Sequence, residues 1–168
     1  MTTDGTSGFL PVDFRGQRVV VTAAASGIGR VIAQAFHERG AKVAICDVDR
    51  ARLDNAGIEL PNALVQAAGV ADPAQVAAFF RSVETALGGV DVLVNNAGIA
   101  GPTANVEDVE DEALAQTLDV NVSSQFYCAR HVVPGMKARR HGTILNLSSI
   151  AGRLGFTMRS PYAASKWA

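Results

Sequence analysis

The 168-residue sequence has almost no net charge, few cysteines and no long apolar run. Its 15 basic and 16 acidic residues give a formal net charge of −1, so the charge balance does not favour nucleic acid or a membrane surface as a partner. No apolar stretch is long enough to span a bilayer. The start, MTTDGTSG, lacks the basic and apolar regions of a signal peptide, and we predict a flexible leader over residues 1–12.

Only two cysteines are present, Cys46 and Cys128, with no CxxC spacing and no histidine cluster nearby. They predict two reduced, buried thiols in a cytoplasmic protein and no metal site. Apolar residues make up 48% of the chain and charged residues 18%, which is typical of a soluble globular protein. We therefore expect a single domain over residues 13–168.

Short apolar runs alternate with helical patterns along the chain. The runs predict strands at 18–23, 42–47, 63–70, 90–97 and 142–149. Helices are predicted at 29–39, 49–56, 73–87 and, as one long helix, 108–137. Alternation with short connections indicates an α/β fold with a parallel sheet and right-handed crossovers.

The segment TAAASGIG, residues 22–29, joins the first predicted strand to the first predicted helix. A helix N-terminus offers unpaired N–H groups and the positive end of the helix dipole, so a pyrophosphate can bind there. Gly27 and Gly29 allow close approach of the backbone and tight packing of helix on strand. On this segment alone, an ordinary structural turn is an equally good interpretation.

Asp47 ends the second predicted strand, about twenty residues after the glycines. A carboxylate at this place accepts hydrogen bonds from the ribose diol of adenosine and repels a 2′-phosphate. Ser26 and Val48 add no cation, so NAD is favoured over NADP. The alternative is a solvated acid at the start of a loop, and Arg50 nearby can soften the preference.

Two further polar positions lie at predicted strand and helix ends. Asp72 is the expected N-cap of the helix that begins at Pro73, which we favour over a ligand role. In NNAG, Asn95 and Asn96 are poor strand formers, so their amides are expected to join strand ends and line a cofactor cleft. Gly98 lets the backbone pass close to a ligand.

Near the end of the chain, Tyr162 and Lys166 are four residues apart and so share a face if the segment is helical. A phenol normally titrates near pH 10, and a neighbouring ammonium stabilises the phenolate. Proton exchange with an alcohol or a carbonyl then becomes feasible. Ser149 can hydrogen-bond the same oxygen. Taken alone, a Tyr-x-x-x-Lys spacing is more often an accident of the surface.

Together these segments resemble the short-chain dehydrogenase/reductase family from about Phe14 to the end of the chain. The ordered set is TAAASGIG, Asp47, NNAG, Asn121 in DVNVSS, Ser149 in SSIAG and YAASK. The resemblance implies a Rossmann-type doubly wound sheet with helices on both faces. It also implies NAD(P)-dependent hydride transfer on a small alcohol or carbonyl substrate, in a homo-oligomer that is a dimer or a tetramer.

The resemblance also assigns roles by matching position. Tyr162 is implied as the catalytic acid/base, and Lys166 as the group that stabilises the phenolate and holds the nicotinamide ribose. Ser149, preferred to Ser148 because it directly precedes IAG, orients the substrate oxygen, and Asn121 supports a water-linked proton relay. The implied cofactor-binding set is Thr22, Ser26, Gly27, Ile28, Gly29, Asp47, Asp72, Asn95, Ala97, Gly98, Tyr162 and Lys166.

The chain departs from the family pattern at two places. Ala23 replaces the first loop glycine, which costs about 1 kcal/mol if that residue has a positive φ and is expected to alter cofactor affinity. The chain also stops two residues after Lys166, where the family continues with two more strands and a loop over the substrate. We therefore expect an incomplete copy of a longer enzyme, unstable or inactive alone, whose sheet order 3-2-1-4-5 exposes the fifth strand.

Some alternatives stay open at this point. A non-catalytic dinucleotide-binding or interaction module without a substrate lid also fits the motifs. Val122, Phe126 and Val132 fit either a subunit contact or internal packing. The loop before Tyr162 suggests at most an apolar wall, so the substrate itself is not predicted.

Overall fold

The structure is a computed structural model that describes residues 12–168, so the predicted leader lies outside the described residues except for Val12. The strands are β1 (Arg18–Thr22), β2 (Lys42–Asp47), β3 (Leu64–Ala67), β4 (Val92–Asn95) and β5 (Thr143–Asn146). The α-helices are α1 (Gly27–Glu38), α2 (Arg50–Glu59), α3 (Pro73–Leu87), α4 (Asp111–Leu118), α5 (Ser124–Arg139) and α6 (Ser160–Trp167).

The five strands form one parallel sheet in the order β3-β2-β1-β4-β5, as predicted. At its centre, Val20 of β1 pairs with Ala44 of β2 on one side and with Leu93 of β4 on the other. β5 is an edge strand whose Leu145 is 45% exposed. The order reverses between β1 and β4, and in open α/β sheets a ligand cleft forms at such a reversal, beyond the carboxyl ends of the strands.

Helices cover both faces of the sheet. On one face, α3 and α5 pack their apolar residues against β1 and β4, with Phe79 and Val132 at the centre of that core. On the other face, α1 and α2 bury Ala33 and Leu53 against β1 and β2. This arrangement confirms the Rossmann-type fold, with its core divided by the sheet into two layers.

The single long helix predicted over 108–137 is wrong. The segment divides into a 3₁₀ turn (Val106–Asp108), α4, a π turn (Asp119–Ser123) and α5. A π turn widens the helix and frees backbone groups, and here Gln125 Nε2 donates to the carbonyl of Asn121 at 2.7 Å. Apolar spacing alone does not reveal such a turn, because the residues buried through it, Thr117, Asn121 and Ser124, are polar.

At the amino ends of the strands, Asp91 joins three elements. Arg18 of β1 donates to its carboxylate from Nε at 2.8 Å and from Nη2 at 2.6 Å, and Arg139 Nη2 of α5 lies 3.7 Å from it. The hydrogen bond from Arg18 holds the pKa of Asp91 below its ordinary value. This half-buried network closes the end of the sheet opposite the candidate site.

Both cysteines are buried and free, as predicted from their spacing. Burial raises the pKa of Cys128 to about 12, and burial also raises the pKa of Cys46. Among the described residues, no helix has both the length and the apolar character needed to cross a membrane.

Candidate active site

A cavity of about 720 Å³ opens at the carboxyl ends of the strands. Its walls come from the turn after β1, the end of β2, the segments that follow β3, β4 and β5, and α6. Predicted site residues that line it are Ser26, Ile28, Asp47, Ala97, Gly98, Tyr162 and Lys166. The fold therefore brings the glycine-bearing turn and the Tyr–Lys pair to one cavity, although 132 residues, 30–161, separate them in the chain.

The turn into α1 leaves the start of that helix open to an anion. Ser26 is the N-cap, but its side chain accepts no hydrogen bond from the first helical turn. Gly27 has φ +58°, and a methyl group on Gly29 would meet Asn96 Nδ2 and, at 2.5 Å, the carbonyl oxygen of Ala23. Both glycines are thus required by the backbone, and the uncapped N–H groups fit a pyrophosphate.

Ala23 adopts a left-handed conformation with φ +50°. The energetic cost expected for an alanine at a positive φ therefore applies to this residue. L-residues are strained there because Cβ approaches the following carbonyl oxygen. The turn is nevertheless held firmly, since Ala24 N donates to Cys46 O at 3.1 Å and Ala25 N donates to Asp47 Oδ2 at 3.1 Å. The turn therefore keeps its conformation with an alanine at residue 23, and the strained backbone of that alanine costs energy.

Asp47 connects that turn to the end of β2. Its Oδ2 accepts from Ala25 N, and its Oδ1 accepts from Asp49 N at 3.1 Å. A carboxylate can accept about four hydrogen bonds, so these two leave capacity for ribose hydroxyls. Val48, the next residue, also lines the cavity. Neither Ser26 nor Val48 carries a positive charge that could bind a 2′-phosphate.

Thr22 and Asn95, both predicted to bind cofactor, make protein contacts outside the cavity lining. Thr22 Oγ1 accepts from the backbone N–H groups of Asn96 and Ala97, each at 3.1 Å. Asn95 Nδ2 donates to Asn146 Oδ1 at 2.8 Å, which ties β4 to β5 as the sequence predicted for these amides. These side chains hold the strand ends that form the floor.

Asn96 lines the cavity, as expected for the NNAG amides, although it is absent from the implied cofactor-binding set. Its Nδ2 donates to Thr22 O and Ala23 O, both at 2.9 Å, and so supports the glycine-bearing turn from below. The doubled asparagine was the available signal, because one amide is enough to join β4 to β5 and the second then needs another partner.

Asp72 caps α3, and this interpretation is confirmed. Its Oδ1 accepts from Ala74 N at 2.8 Å and Gln75 N at 3.3 Å, and its Oδ2 accepts from Gln75 Nε2 at 2.8 Å. These bonds, the one from the Gln75 side chain first, lower the pKa of the carboxyl. Neighbouring Val70 and Ala71 line the cavity in its place.

Tyr162 and Lys166 stand one turn apart on α6 and line the same side of the cavity. Lys166 Nζ donates to Leu147 O at 2.9 Å and lies 5.9 Å from the centre of the Tyr162 ring. A Cβ on Gly98 would lie 3.3 Å from Lys166 Nζ and 3.4 Å from Asn121 Oδ1. The glycine therefore leaves the space that the lysine head group occupies.

Asn121 is fully buried in the π turn and acts on α6 through a neighbour of the lysine. Its Oδ1 accepts from Ile99 N at 2.8 Å, and its Nδ2 donates to Ile99 O at 2.9 Å and to Ser165 Oγ at 2.8 Å. One amide group thus links the segment after β4 to the helix that carries Tyr162 and Lys166.

Ser148 and Ser149 have different partners. Ser149 Oγ accepts from Ala151 N at 3.2 Å and caps the 3₁₀ turn Ile150–Gly152, and its hydroxyl donates to no group among residues 12–168. Ser148 Oγ instead donates to the backbone carbonyl of Lys166 at 2.9 Å. Of the two, Ser148 lies in the cavity lining and Ser149 lies beside it.

The sequence model of one protein family, the short chain dehydrogenases, matches residues 17–168. This chain belongs to that family. The matched range includes the glycine-bearing turn, Asp47 and α6.

Several characterised and solved short-chain dehydrogenases are similar to this chain. The 2-dehydro-3-deoxy-L-rhamnonate dehydrogenase (NAD(+)) of a Sphingomonas species is 37% identical and covers 91% of this chain. Galactitol 2-dehydrogenase of Agrobacterium fabrum is 38% identical and covers 88% of it. This chain spans 61% and 58% of the length of those two relatives, respectively. A metagenomic short-chain oxidoreductase solved in complex with NADP superposes with a TM-score of 0.87 at 32% identity, over 92% of this chain and 72% of the other.

Proposed function

We propose that the protein containing this chain is an NAD-dependent oxidoreductase that interconverts an alcohol and a carbonyl compound by hydride transfer. One observation carries this proposal: Tyr162 and Lys166 line the same cavity as the glycine-bearing turn and Asp47. A proton-exchanging pair and a dinucleotide-sized site in one cavity are what such a reaction needs. The relatives from Sphingomonas and Agrobacterium, both called dehydrogenases, support the proposal.

Tyr162 is the group that exchanges a proton with the substrate oxygen. In the oxidative direction its phenolate accepts the hydroxyl proton, and in the reductive direction its phenol donates one to the carbonyl oxygen. The ammonium of Lys166 on the next helical turn stabilises the phenolate electrostatically. When bound, the nicotinamide supplies the hydride acceptor or donor.

Ser149 and Asn121 complete the catalytic set. The hydroxyl of Ser149 can donate to the substrate oxygen, because within the described part of the chain its Oγ accepts from Ala151 N and donates to no other group. Asn121 fixes α6 through Ser165 and so sets where the Tyr–Lys pair lies. The hydroxyl of Ser148 is already donated to Lys166 O, which favours Ser149 for this role.

We propose NAD rather than NADP as the cofactor. The carboxylate of Asp47 at the end of β2 would repel a 2′-phosphate, and Ser26 and Val48 beside it offer no cation. The relative from Sphingomonas carries NAD(+) in its name, whereas the metagenomic structure holds NADP, so family membership alone leaves the choice open. Initial rates with each cofactor across a concentration series decide between them.

The proposal is tested with the full-length protein, NAD⁺ and a panel of secondary alcohols, by following NADH formation. Tyr162→Phe is expected to lower kcat by at least about 10²-fold, because it removes the exchangeable proton, while NADH affinity stays within a few-fold. The only other tyrosine, Tyr127, lies on α5, and Tyr127→Phe is the matched control with near-normal turnover. NADH binding without turnover of any alcohol would instead support a non-catalytic dinucleotide-binding module.

The same proposal includes a homo-oligomer that works in the cytoplasm. Phe126 on α5 is 68% exposed and is available for a subunit contact, whereas Val132 on the same helix is buried in the core. The two free, buried cysteines suit a reducing compartment. Analytical ultracentrifugation of the purified protein and fractionation of its native cells test these two parts.

A further inference from the structure

Arg159 differs from the other half-buried arginines in having no carboxylate partner. Arg18 pairs with Asp91, and Arg30 pairs with Glu59. Within residues 12–168, Arg159 forms no ion pair, and its side chain makes one long hydrogen bond, from Nη1 to the carbonyl oxygen of Ala100 at 3.4 Å. A guanidinium has five N–H donors, so most of its hydrogen-bonding capacity remains for another group.

This guanidinium lies beside the candidate active site. Its one partner, Ala100, lines the cavity, and Arg159 itself is the N-cap residue of α6, three residues before Tyr162. The preceding residue, Met158, has φ +59°, and its carbonyl accepts from Ala104 N at 3.1 Å. Two hydrogen bonds thus join the loop before α6 to the segment after β4, and they position the side chain of Arg159.

The chemistry of this position favours an anionic ligand. Partial removal of a cation from water costs free energy unless a counter-ion or hydrogen-bond acceptor compensates, and the carbonyl at 3.4 Å is weak compensation. Apolar residues of the cavity lining include Ile99, Ala100, Val120 and Leu147, and its polar residues include Gln116 and Ser148. The planar fork of an arginine matches the two oxygens of a carboxylate, which it can bind with two parallel hydrogen bonds.

We propose that the substrate is a hydroxy acid or the corresponding oxo acid, and that Arg159 binds its carboxylate. The inference rests on the proposed function, since Tyr162 takes the proton of the reacting hydroxyl. In oxidation the carbinol C–H bond breaks, its hydride passes to NAD⁺, the O–H proton passes to Tyr162, and a C=O bond forms. The carboxylate is bound throughout and does not react, so Arg159 is a binding and orienting residue.

The test compares acids with matched neutral amides in the full-length protein: lactate, 3-hydroxybutyrate and 4-hydroxypentanoate against their carboxamides, with NAD⁺. We expect kcat/KM for the best acid to exceed that of its amide by about 10- to 100-fold, as for a hydrogen bond to a charged group. Arg159→Gln removes this difference through KM, and Arg159→Lys restores part of it. Arg153→Gln, an exposed arginine of the same loop, leaves it unchanged.

Binding of unreactive butyrate to the protein with NADH, measured by calorimetry, gives a readout independent of turnover. Butyrate binding that Arg159→Gln weakens at least about tenfold supports the carboxylate site, even if no alcohol in the panel is oxidised and the proposed function fails. Equal kcat/KM for acid and amide, together with turnover of neutral alcohols, would overturn the inference and leave the proposed function standing. A preference for acids that persists in Arg159→Gln would overturn it as well.

Discussion

Replacing Ala23 by glycine tests whether the strain in the glycine-bearing turn is real. Ala23 has φ +50°, where an alanine is about 1–2 kcal/mol less favourable than in an ordinary conformation. Glycine relieves that strain but adds about 0.4–1 kcal/mol of unfolded-state entropy. It also gives up the contact of a half-buried methyl group, which we value at about half of the ~0.8 kcal/mol for a fully buried one. We expect Ala23→Gly to stabilise the protein by about 0.5 kcal/mol.

Ala25, two residues further along the same turn, provides the control. It is 1% exposed and does not have a positive φ, so Ala25→Gly loses a buried methyl group and gains unfolded-state entropy with no strain to relieve. This variant is expected to be destabilised by about 1.5 kcal/mol. The two alanine-to-glycine changes should therefore differ by about 2 kcal/mol and have opposite signs.

Urea unfolding of the full-length protein and its two variants measures this difference, and thermal unfolding checks it. For a protein of this size or larger, 0.5 kcal/mol corresponds to a rise of about 1–2 °C in Tm. If Ala23→Gly is destabilised as strongly as Ala25→Gly, the turn carries no strain at residue 23. NADH titration of the same variants shows whether the extra methyl group also weakens cofactor binding.

Two more predictions concern groups outside the site. The pKa of Asp91 is lowered in the folded protein, so its pairing with Arg18 stabilises the fold above about pH 4 and loses that effect as pH falls through the folded pKa. Asp91→Asn should lower the free energy of unfolding, measured with urea at pH 7, by about 2–4 kcal/mol. The difference in unfolding free energy between variant and wild type should shrink in acid, and a difference that does not change with pH would contradict this. Cys46 and Cys128 should resist a thiol reagent at pH 8 until urea unfolds the chain, because burial raises both pKa values; rapid labelling of the folded protein would show that they are accessible.

Much of the fold could be predicted from sequence because local signals and tertiary structure agree. α3 begins at Pro73 after its Asp72 cap and ends before Gly88, whose φ is +74°, so its limits follow from capping chemistry alone. β2 was predicted with its observed limits, whereas the other four strands were predicted too long: β4 ends at Asn95 rather than residue 97. The residues beyond the true strand ends turn away to form the cavity, which hydrophobicity does not indicate.

Within the site, it was easier to predict which residues take part than which hydrogen-bond partners they have. Asp47, Tyr162 and Lys166 were singled out through the ordered set of motifs and not by any one spacing, and all three line the cavity. Thr22 was assigned to the cofactor, but its hydroxyl accepts two backbone N–H groups of the NNAG segment. Such a hydrogen bond joins residues more than seventy positions apart, so nothing in the local sequence reveals it. The π turn at Asn121 was missed because the residues buried through it, Thr117, Asn121 and Ser124, are polar and leave no apolar spacing to follow.

The two ends of the site depend on separate supports. The glycine-bearing turn is held by Asp47 and Asn96, which belong to the ends of β2 and β4. The short helix α6, with eight residues too short to be stable by itself, is held through Ser165 by Asn121 in the π turn. Damage to one support need not reach the other, so dinucleotide affinity and turnover can be lost independently. A variant that still binds NADH normally is therefore no proof of an intact catalytic helix.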